Sequence, residues 1–440
     1  MIQIPYWKKH ACGLETILIE KHDSPIVKIN IIFPFGSYED PKHKEGLMNF
    51  MGDMLLRGTT EKTRDQIEFA LDHLGASLNA FTGFHSLVVE GRVLSKNLQP
   101  FLKLLHEILT QPKFETSEIQ KLKNEIKSDL LLRLEDDQDL AKHHFSRELF
   151  SGHLYARDVI GSPKSIDAIA DQDLPTTFKT YMNQKGMLIG ASGDLTPSQF
   201  EEIALQIHGY FPASDLTPTQ SSFQANAQGL EIVLIDKPEL TQTQFFIGHG
   251  CIPSTHKDLV ALDIFSTAFA GSMFQAKYMQ EIRVKRGWSY GAYGNVDARR
   301  DGGAFYLFTF PKNEDTVDAI SLSLELFDQA VHGSLIDEKA FQFAKNHLAR
   351  SYPFKIDTPE KILSQKMYNK LSGRPEDALE TYRNRVQAVD FQNSMNVAQK
   401  HLHPKNVKLI MVCTADLFKD KLAQKLSPQS LKIIKYNDLD

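Results

Sequence analysis

Apolar positions along this chain follow two kinds of pattern. Segments such as VKINIIF (27–33), TQFFIGHG (243–250) and KLIMVC (408–413) are runs of strand length rich in β-branched and aromatic residues, the signature of strands with little face left to solvent. SLNAFTGFHSLVVEGRVL (77–94) divides into two such strands about a Gly/His turn. A helical period takes over in EGLMNFMGDMLLRGTT (45–60), where Leu47, Met51, Met54 and Leu55 stand at i, i+4, i+7 and i+8 and define a buried face. Asn49, Gly52 and Asp53 share the other face of that helix. FETSEIQKLKNEIKSDLLLRLEDDQD (114–139) is also helical, with a capped start at Thr116 and acidic residues Glu115 and Glu118 in or near the first turn.

The order of these elements repeats. ILIEK at 17–21 corresponds to VLIDK at 233–237, LGASLNAFTG at 74–83 to RGWSYGAYGN at 286–295, LKNEI at 122–126 to AKNHL at 344–348, and MLIGASGDL at 187–195 to KLIMVCTADL at 408–417. Such a constant offset, about 212 to 222 residues, is the mark of a tandem duplication. Between the copies, residues 211–229 turn rich in Pro, Ser, Thr, Gln and Ala and lose apolar periodicity, which gives a domain over 1–212, a linker over 213–229 and a domain over 230–440. Runs of strands followed by long helices predict an α+β class, two homologous domains each with helices packed on one face of a largely antiparallel sheet.

Composition narrows the function. The 440 residues are 42% hydrophobic and 24% charged, which suits two packed domains, and a net charge of −5 with scattered Lys and Arg offers no nucleic-acid footprint. No apolar run reaches the roughly 18 residues that a membrane span requires, and MIQIPYWKKHACGLETILIE has no secretory h-region. Either the protein is cytoplasmic or a signal was removed ahead of Met1. Cys12, Cys251 and Cys413 form no CxxC, which excludes a cysteine zinc site, permits at most one disulfide, and reads as three small buried side chains.

Chemistry-bearing motifs are sparse. No Walker loop or dinucleotide fingerprint occurs. His143 and His144 are adjacent on a predicted helix and point apart, while His401 and His403 beside Pro404 could clip a surface metal. Gly52 inside a helix costs about 1 kcal/mol relative to Ala, so it marks either close packing or a lost functional side chain. Asn49 and Asp53 offer only two weak oxygen ligands and no imidazole.

Residues 46–59, GLMNFMGDMLLRGT, resemble the motif helix of the pitrilysin/insulinase family of zinc metallopeptidases, close to G-x-x-H-F-x-E-H-M-x-x-x-G-T. There the histidines bind zinc and the glutamate is the general base. The resemblance places the first histidine on Asn49, the glutamate on Gly52 and the second histidine on Asp53, and the family's last ligand, a glutamate on a later helix, falls on Leu130. Asp129 and Glu125 are near, but one residue on a helix turns a side chain by about 100°. All four positions are replaced, so no metal and no catalytic residue is expected here. GSMFQAKYMQEIRVKRGWSYGAYG (271–294) resembles the family segment that carries an arginine and, seven residues on, a tyrosine reaching into the substrate chamber; these match Arg283 and Tyr290. Read without the resemblance, Arg283 is a surface charge and Tyr290 a strand core residue.

The resemblance extends over essentially the whole chain, including HLYARDVIGSPKSIDAIADQDL (153–174). It implies a bacterial non-catalytic subunit, itself without cofactor, that dimerises with a zinc-bearing homologous subunit and encloses peptide between the two, in the periplasm if a signal was removed. The alternatives it leaves are a peptide-binding or scaffold homodimer without proteolysis and an active metalloendopeptidase with substitute ligands.

Overall fold

The computed structural model describes residues 5–224 and 228–438; Met1, which the export reading concerns, and three residues of the expected linker lie outside them. The first half contains β1 (Tyr6–Lys9), β2 (Glu15–Glu20), β3 (Ile26–Phe33), β4 (Ser77–Thr82), β5 (Leu87–Leu94) and β6 (Leu188–Gly193). The second contains β7 (Leu230–Asp236), β8 (Gln244–Cys251), β9 (Ala292–Ala298), β10 (Gly303–Thr309), β11 (Val407–Cys413) and β12 (Ser430–Lys435). They form two six-stranded sheets ordered β1-β2-β6-β3-β5-β4 and β12-β7-β11-β8-β10-β9.

The duplication is thus visible in topology. Strand order β2-β6-β3-β5-β4 equals β7-β11-β8-β10-β9, with a parallel pair at β2/β6 and at β7/β11 and antiparallel pairs elsewhere in both. Only the outer edge differs, where β1 adds antiparallel to β2 and β12 adds parallel to β7. The class is α+β with mixed sheets in which antiparallel pairs predominate. Parallel pairs arise because each half's last central strand returns after a long helical crossover to lie beside its first.

Helices cover both faces of each sheet, not one face as the pattern predicts. Leu18, Ile29, Ile31 and Ile189 face the first half's own helices, among them Leu47–Met54, Leu98–Thr110 and Thr116–Arg133. Ile17, Ile19, Ile32 and Leu188 face the other way, onto Ile362, Leu363 and Met367 of helix Pro359–Leu371 from the second half. Reciprocally, Leu140, Ala141, Phe145 and Leu149 of helix Asp137–Leu149, from the first half, cover Val233, Ile235, Phe246, Ile410 and Val412. Each half lends one helix to the other's sheet. Burial on both faces explains why KLIMVC shows no alternation.

The linker has no regular structure over the described residues 213–224, yet it is fixed. Thr219 donates through its N–H and Oγ1 to Glu39, at 2.9 and 2.7 Å, and Phe223 packs edge-on to Phe150 while its N–H donates to Asp301 O at 3.0 Å. The cysteines are all free: Cys413 is buried, Cys251 half-buried and Cys12 exposed. The last departs from the buried reading because it stands in the tight turn that joins β1 to β2.

Candidate functional site

Helix Leu47–Met54 starts at Gly46, whose φ of 95° is open to glycine and whose Cβ, were there one, would meet Ile160 O at 2.7 Å. Its first N–H groups are capped from a distance: Asp40 accepts from the backbone of Gly46 and of Met48, both at 2.8 Å. Burial pushes the Asp40 carboxyl up to about 7 against the pull of those two N–H groups. Leu47, Met51, Met54 and Leu55 are buried as their spacing predicts, together with Met48 and Phe50.

Gly52 is explained by packing. A Cβ there would meet Leu87 Cδ1 at 2.8 Å and Thr82 Oγ1 at 3.2 Å, so the helix lies directly on β4 and β5, and Thr82 donates to Met48 O at 3.3 Å. Asn49 and Asp53 alone remain half-exposed on this helix. Asn49 Nδ2 donates to Asp53 Oδ2 at 3.0 Å. Burial pushes Asp53 up to about 6, against the attraction of Arg57 and the Asn49 hydrogen bond.

Leu130 is 2% exposed and part of the core. It lies on helix Thr116–Arg133, whose N-cap is Glu115, while Thr116 Oγ1 donates to Asp171 at 2.6 Å. The same helix turns Glu118 and Glu125 toward Arg57, which pairs with Glu118 at 3.5 Å and with Glu125 through a two-pronged contact, Nη1 to Oε1 at 3.2 Å. Arg64 adds to Glu125 at 3.6 Å. Arg57 holds Glu125 below its usual range. An arginine–glutamate network therefore ties the motif helix to the helix that would carry the last ligand.

These residues do not fit a catalytic zinc. Such a site needs about three protein donors, an open water position and a base. Leu130 has no side-chain donor atom, Gly52 has neither a side chain nor room for one, and Asn49 and Asp53 offer only oxygen ligands and no imidazole.

Arg283 belongs to a π-helical turn, Gln280–Lys285, and its guanidinium stacks on Phe274 with 4.8 Å to the ring centroid. Among the described residues it forms no ion pair, whereas Lys285 and Arg286 both pair with Glu281, at 2.5 and 2.8 Å. Tyr290 is 80% exposed just ahead of β9, so it is no core residue. Its backbone is anchored by Ser289, whose Oγ accepts from Phe310 N and Gly291 N at 3.3 Å each. No hydrogen bond or ion pair among the described residues joins Arg283 or Tyr290 to Asn49 or Asp53.

The histidine pairs separate. His143 approaches Asp158 at 3.3 Å, while His144 is buried between the halves, where burial pushes it down to about 3. His401 Nε2 donates to Asp258 at 2.8 Å, whereas His403 N donates to the buried ring of His249. Asp40 and the Arg57 network escaped sequence reasoning. Their partners are six or more positions away and obey no local spacing rule.

The sequence model of Insulinase (Peptidase family M16) matches residues 15–162, and that of Peptidase M16 inactive domain matches residues 168–348. An uncharacterized zinc protease of Rickettsia bellii is 27% identical over 285 residues, 64% of this chain and 67% of that protein. A probable mitochondrial-processing peptidase subunit beta of Arabidopsis thaliana is 23% identical over 411 residues, 90% of this chain and 76% of that protein. The crystal structure of a peptidase M16 inactive domain from Pseudomonas fluorescens superposes with a TM-score of 0.85 at 21% identity, covering 99% of this chain and 100% of that one. Two such sheets with exchanged helices define a chain built like a two-domain peptidase. It belongs to the M16, or insulinase, peptidase family.

Proposed function

We propose that this chain is the non-catalytic subunit of a heterodimeric zinc peptidase, which encloses and positions peptide for a zinc-bearing homologous partner. One observation carries the reading: the motif helix is packed and ion-paired as a finished structural element, with Gly52 closed against Leu87 and Thr82 and Leu130 in the core. It has no place for a metal or a base. Two features remain turned outward. Among the described residues, strand β4 pairs only with β5 and leaves an edge onto which an extended peptide can add by main-chain hydrogen bonds, and Tyr290 and Arg283 offer donors that no described residue takes up. A wall that orients substrate lowers a barrier without doing chemistry itself.

No helix among the described residues is long and apolar enough to cross a membrane. A periplasmic setting accompanies this reading, with a cytoplasmic one as its alternative.

The test is reconstitution with a homologous subunit that carries an intact HxxEH helix. A stable complex on gel filtration, with peptidase activity in the mixture that this chain lacks alone, is the expected result. Zinc-dependent cleavage by this chain alone would overturn the reading. A peptide-binding homodimer indifferent to the zinc-bearing subunit would replace it with the scaffold alternative.

A further inference from the structure

A second set of possible ligands lies far along the chain from the motif helix. His256 and Asp258 stand in the turn that leads into helix Leu259–Ala270, and His401 is the last residue of helix Phe391–His401. One ligand atom from each converges so that all three lie within 4.8 Å of one another. His401 Nε2 is 2.8 Å from Asp258 Oδ2, His256 Nδ1 is 3.9 Å from the same oxygen, and the imidazole centroids are 4.9 Å apart. Each side chain is partly open to solvent, His256 at 28%, Asp258 at 15% and His401 at 12%, so a hydrated ion can reach them.

We propose that His256, Asp258 and His401 form a binding site for a divalent transition metal of the zinc, nickel or cobalt type. Two imidazoles and one carboxylate suit these borderline ions better than magnesium or calcium, which prefer all-oxygen shells.

What must give way is weak. As the metal takes the place of the Nε2–H···Asp258 hydrogen bond, the His401 proton exchanges through solvent from Nε2 to Nδ1, so the ring stays neutral and presents its Nε2 lone pair. His256 Nδ1 now accepts from Asp258 N at 3.1 Å, a single neutral contact. Lys400 Nζ lies 3.0 Å from Asp258 Oδ2, but its side chain is 59% exposed and can swing into water. The motif helix shares none of these residues, so the site is independent of the subunit reading above. It would clip the start of one core helix of the second half to the end of another, where Ser394 Oγ already donates to Ala261 O at 2.9 Å.

Titration of the full-length, untagged chain with zinc chloride and with nickel chloride, by calorimetry and by thermal melting, tests the site. One ion per chain and a raised melting temperature are expected. His256→Ala and His401→Ala should each weaken binding by roughly tenfold or more, since even loss of an outer-shell partner costs about 10–100-fold. His403→Ala should leave binding unchanged, because that ring lies tilted against His249 instead, 5.4 Å between centroids. Melting of each variant without metal separates lost binding from lost folding, and d–d bands of added cobalt report tetrahedral nitrogen and oxygen ligation directly. Absence of stoichiometric binding, or binding that survives both histidine variants, would overturn the proposal.

Discussion

The ring of Phe145 lies over Gly248 so closely that a Cβ at position 248 would meet its Cζ at 2.8 Å, although the two residues come from different halves of the chain. Gly190 plays the same part on the other sheet, where a Cβ would meet Leu363 Cδ1 and Met367 Sδ at 2.7 Å each. At Gly248 the nearest obstacle is Phe305 O on the neighbouring strand β10, with Phe145 next, whereas at Gly190 the obstacles are all on the helix lent by the opposite half. Gly190→Ala is therefore expected to destabilise the protein by about 1–3 kcal/mol, the usual penalty for overpacking, and urea unfolding followed by fluorescence measures it. Because both sheets depend on the exchanged helices, wild type and variant should each unfold in one transition. Two transitions, one for each half, would show that the exchange does not couple them.

Arg57 is only 9% exposed and faces Glu118, itself 12% exposed, and Glu125. Arg57→Met removes the cation from Glu118 Oε2 and leaves this buried carboxylate only the exposed Lys121, 2.5 Å from Oε1. A stability loss of about 1–3 kcal/mol is expected, the cost of stranding a buried polar group. Adding Glu118→Gln should recover part of it, a coupling that a double-mutant cycle reads directly. Strict additivity of the two changes would rule the network out as a unit.

Much of this was legible in the sequence, and what was not has physical reasons. Periodicity locates Leu47, Met51, Met54 and Leu55 on a buried face and makes β3, β8 and β11 strands, because burial of alternate or consecutive residues is a local property. It cannot say which sheet a helix meets. Leu140, Phe145 and Leu149 define an apolar stripe, but that it covers Val233 and Ile410 of the other half is a long-range fact. Caps failed for the same reason. The motif helix is capped by Asp40 from six residues before Gly46, and the Thr116 hydroxyl serves Asp171 instead of its own helix. Composition sets 213–229 apart, but it does not show that Phe223 and Thr219 anchor that segment. At the candidate site, replacement of the motif positions could be read from the pattern, but the closing of Gly52 against Leu87 and Thr82 needed the structure.

Asp53 makes stability depend on pH in an unusual direction. Its folded value, about 6, lies above the ordinary 3.8, so the folded chain binds the proton more tightly than the unfolded chain does. The associated stability is fully present below about pH 4 and is lost as pH rises through about 6. Asp53→Asn cannot ionise and should gain on the order of 1–3 kcal/mol over wild type at pH 8, from a shift of about two units at 1.36 kcal/mol each. No gain is expected at pH 4. Urea midpoints at the two pH values decide it, and an equal effect at both would show that Asp53 does not titrate between them.

Restoring the motif should not restore a peptidase. Asn49→His, Gly52→Glu and Asp53→His together rebuild the family helix by sequence, yet the glutamate side chain introduced at position 52 must displace Leu87 and Thr82, which sit 2.8 and 3.2 Å from where its Cβ would go. Leu130 would still supply no ligand. A loss of stability of about 1–3 kcal/mol and no chelator-sensitive cleavage of a fluorogenic peptide are expected. Activity in this triple variant would show that the fold retains an intact zinc pocket.

The roles of Arg283 and Tyr290 are best tested in the presence of a zinc-bearing partner. Tyr290 is 80% exposed on a backbone pinned by Ser289, and Arg283 is braced by Phe274 without an ion pair among the described residues. Arg283 is thus braced and the Tyr290 backbone pinned, while no hydrogen bond among the described residues ties either side chain to Asn49 or Asp53. A structural role would make their removal cost stability. A role in trans would make it cost catalysis in the complex and nothing in the isolated chain. Two fixed donors aimed at a peptide carbonyl orient the substrate and stabilise developing negative charge, and loss of one such donor costs about 2.7–4 kcal/mol, or 10²–10³ in rate. Arg283→Ala and Tyr290→Phe should therefore lower the complex's kcat/KM substantially, toward that range, with gel-filtration profiles and melting temperatures of wild type. If both variants assemble normally and the complex cleaves peptide at the wild-type rate, neither residue reaches the substrate, and enclosure by the edge strand β4 is left as the contribution of this subunit.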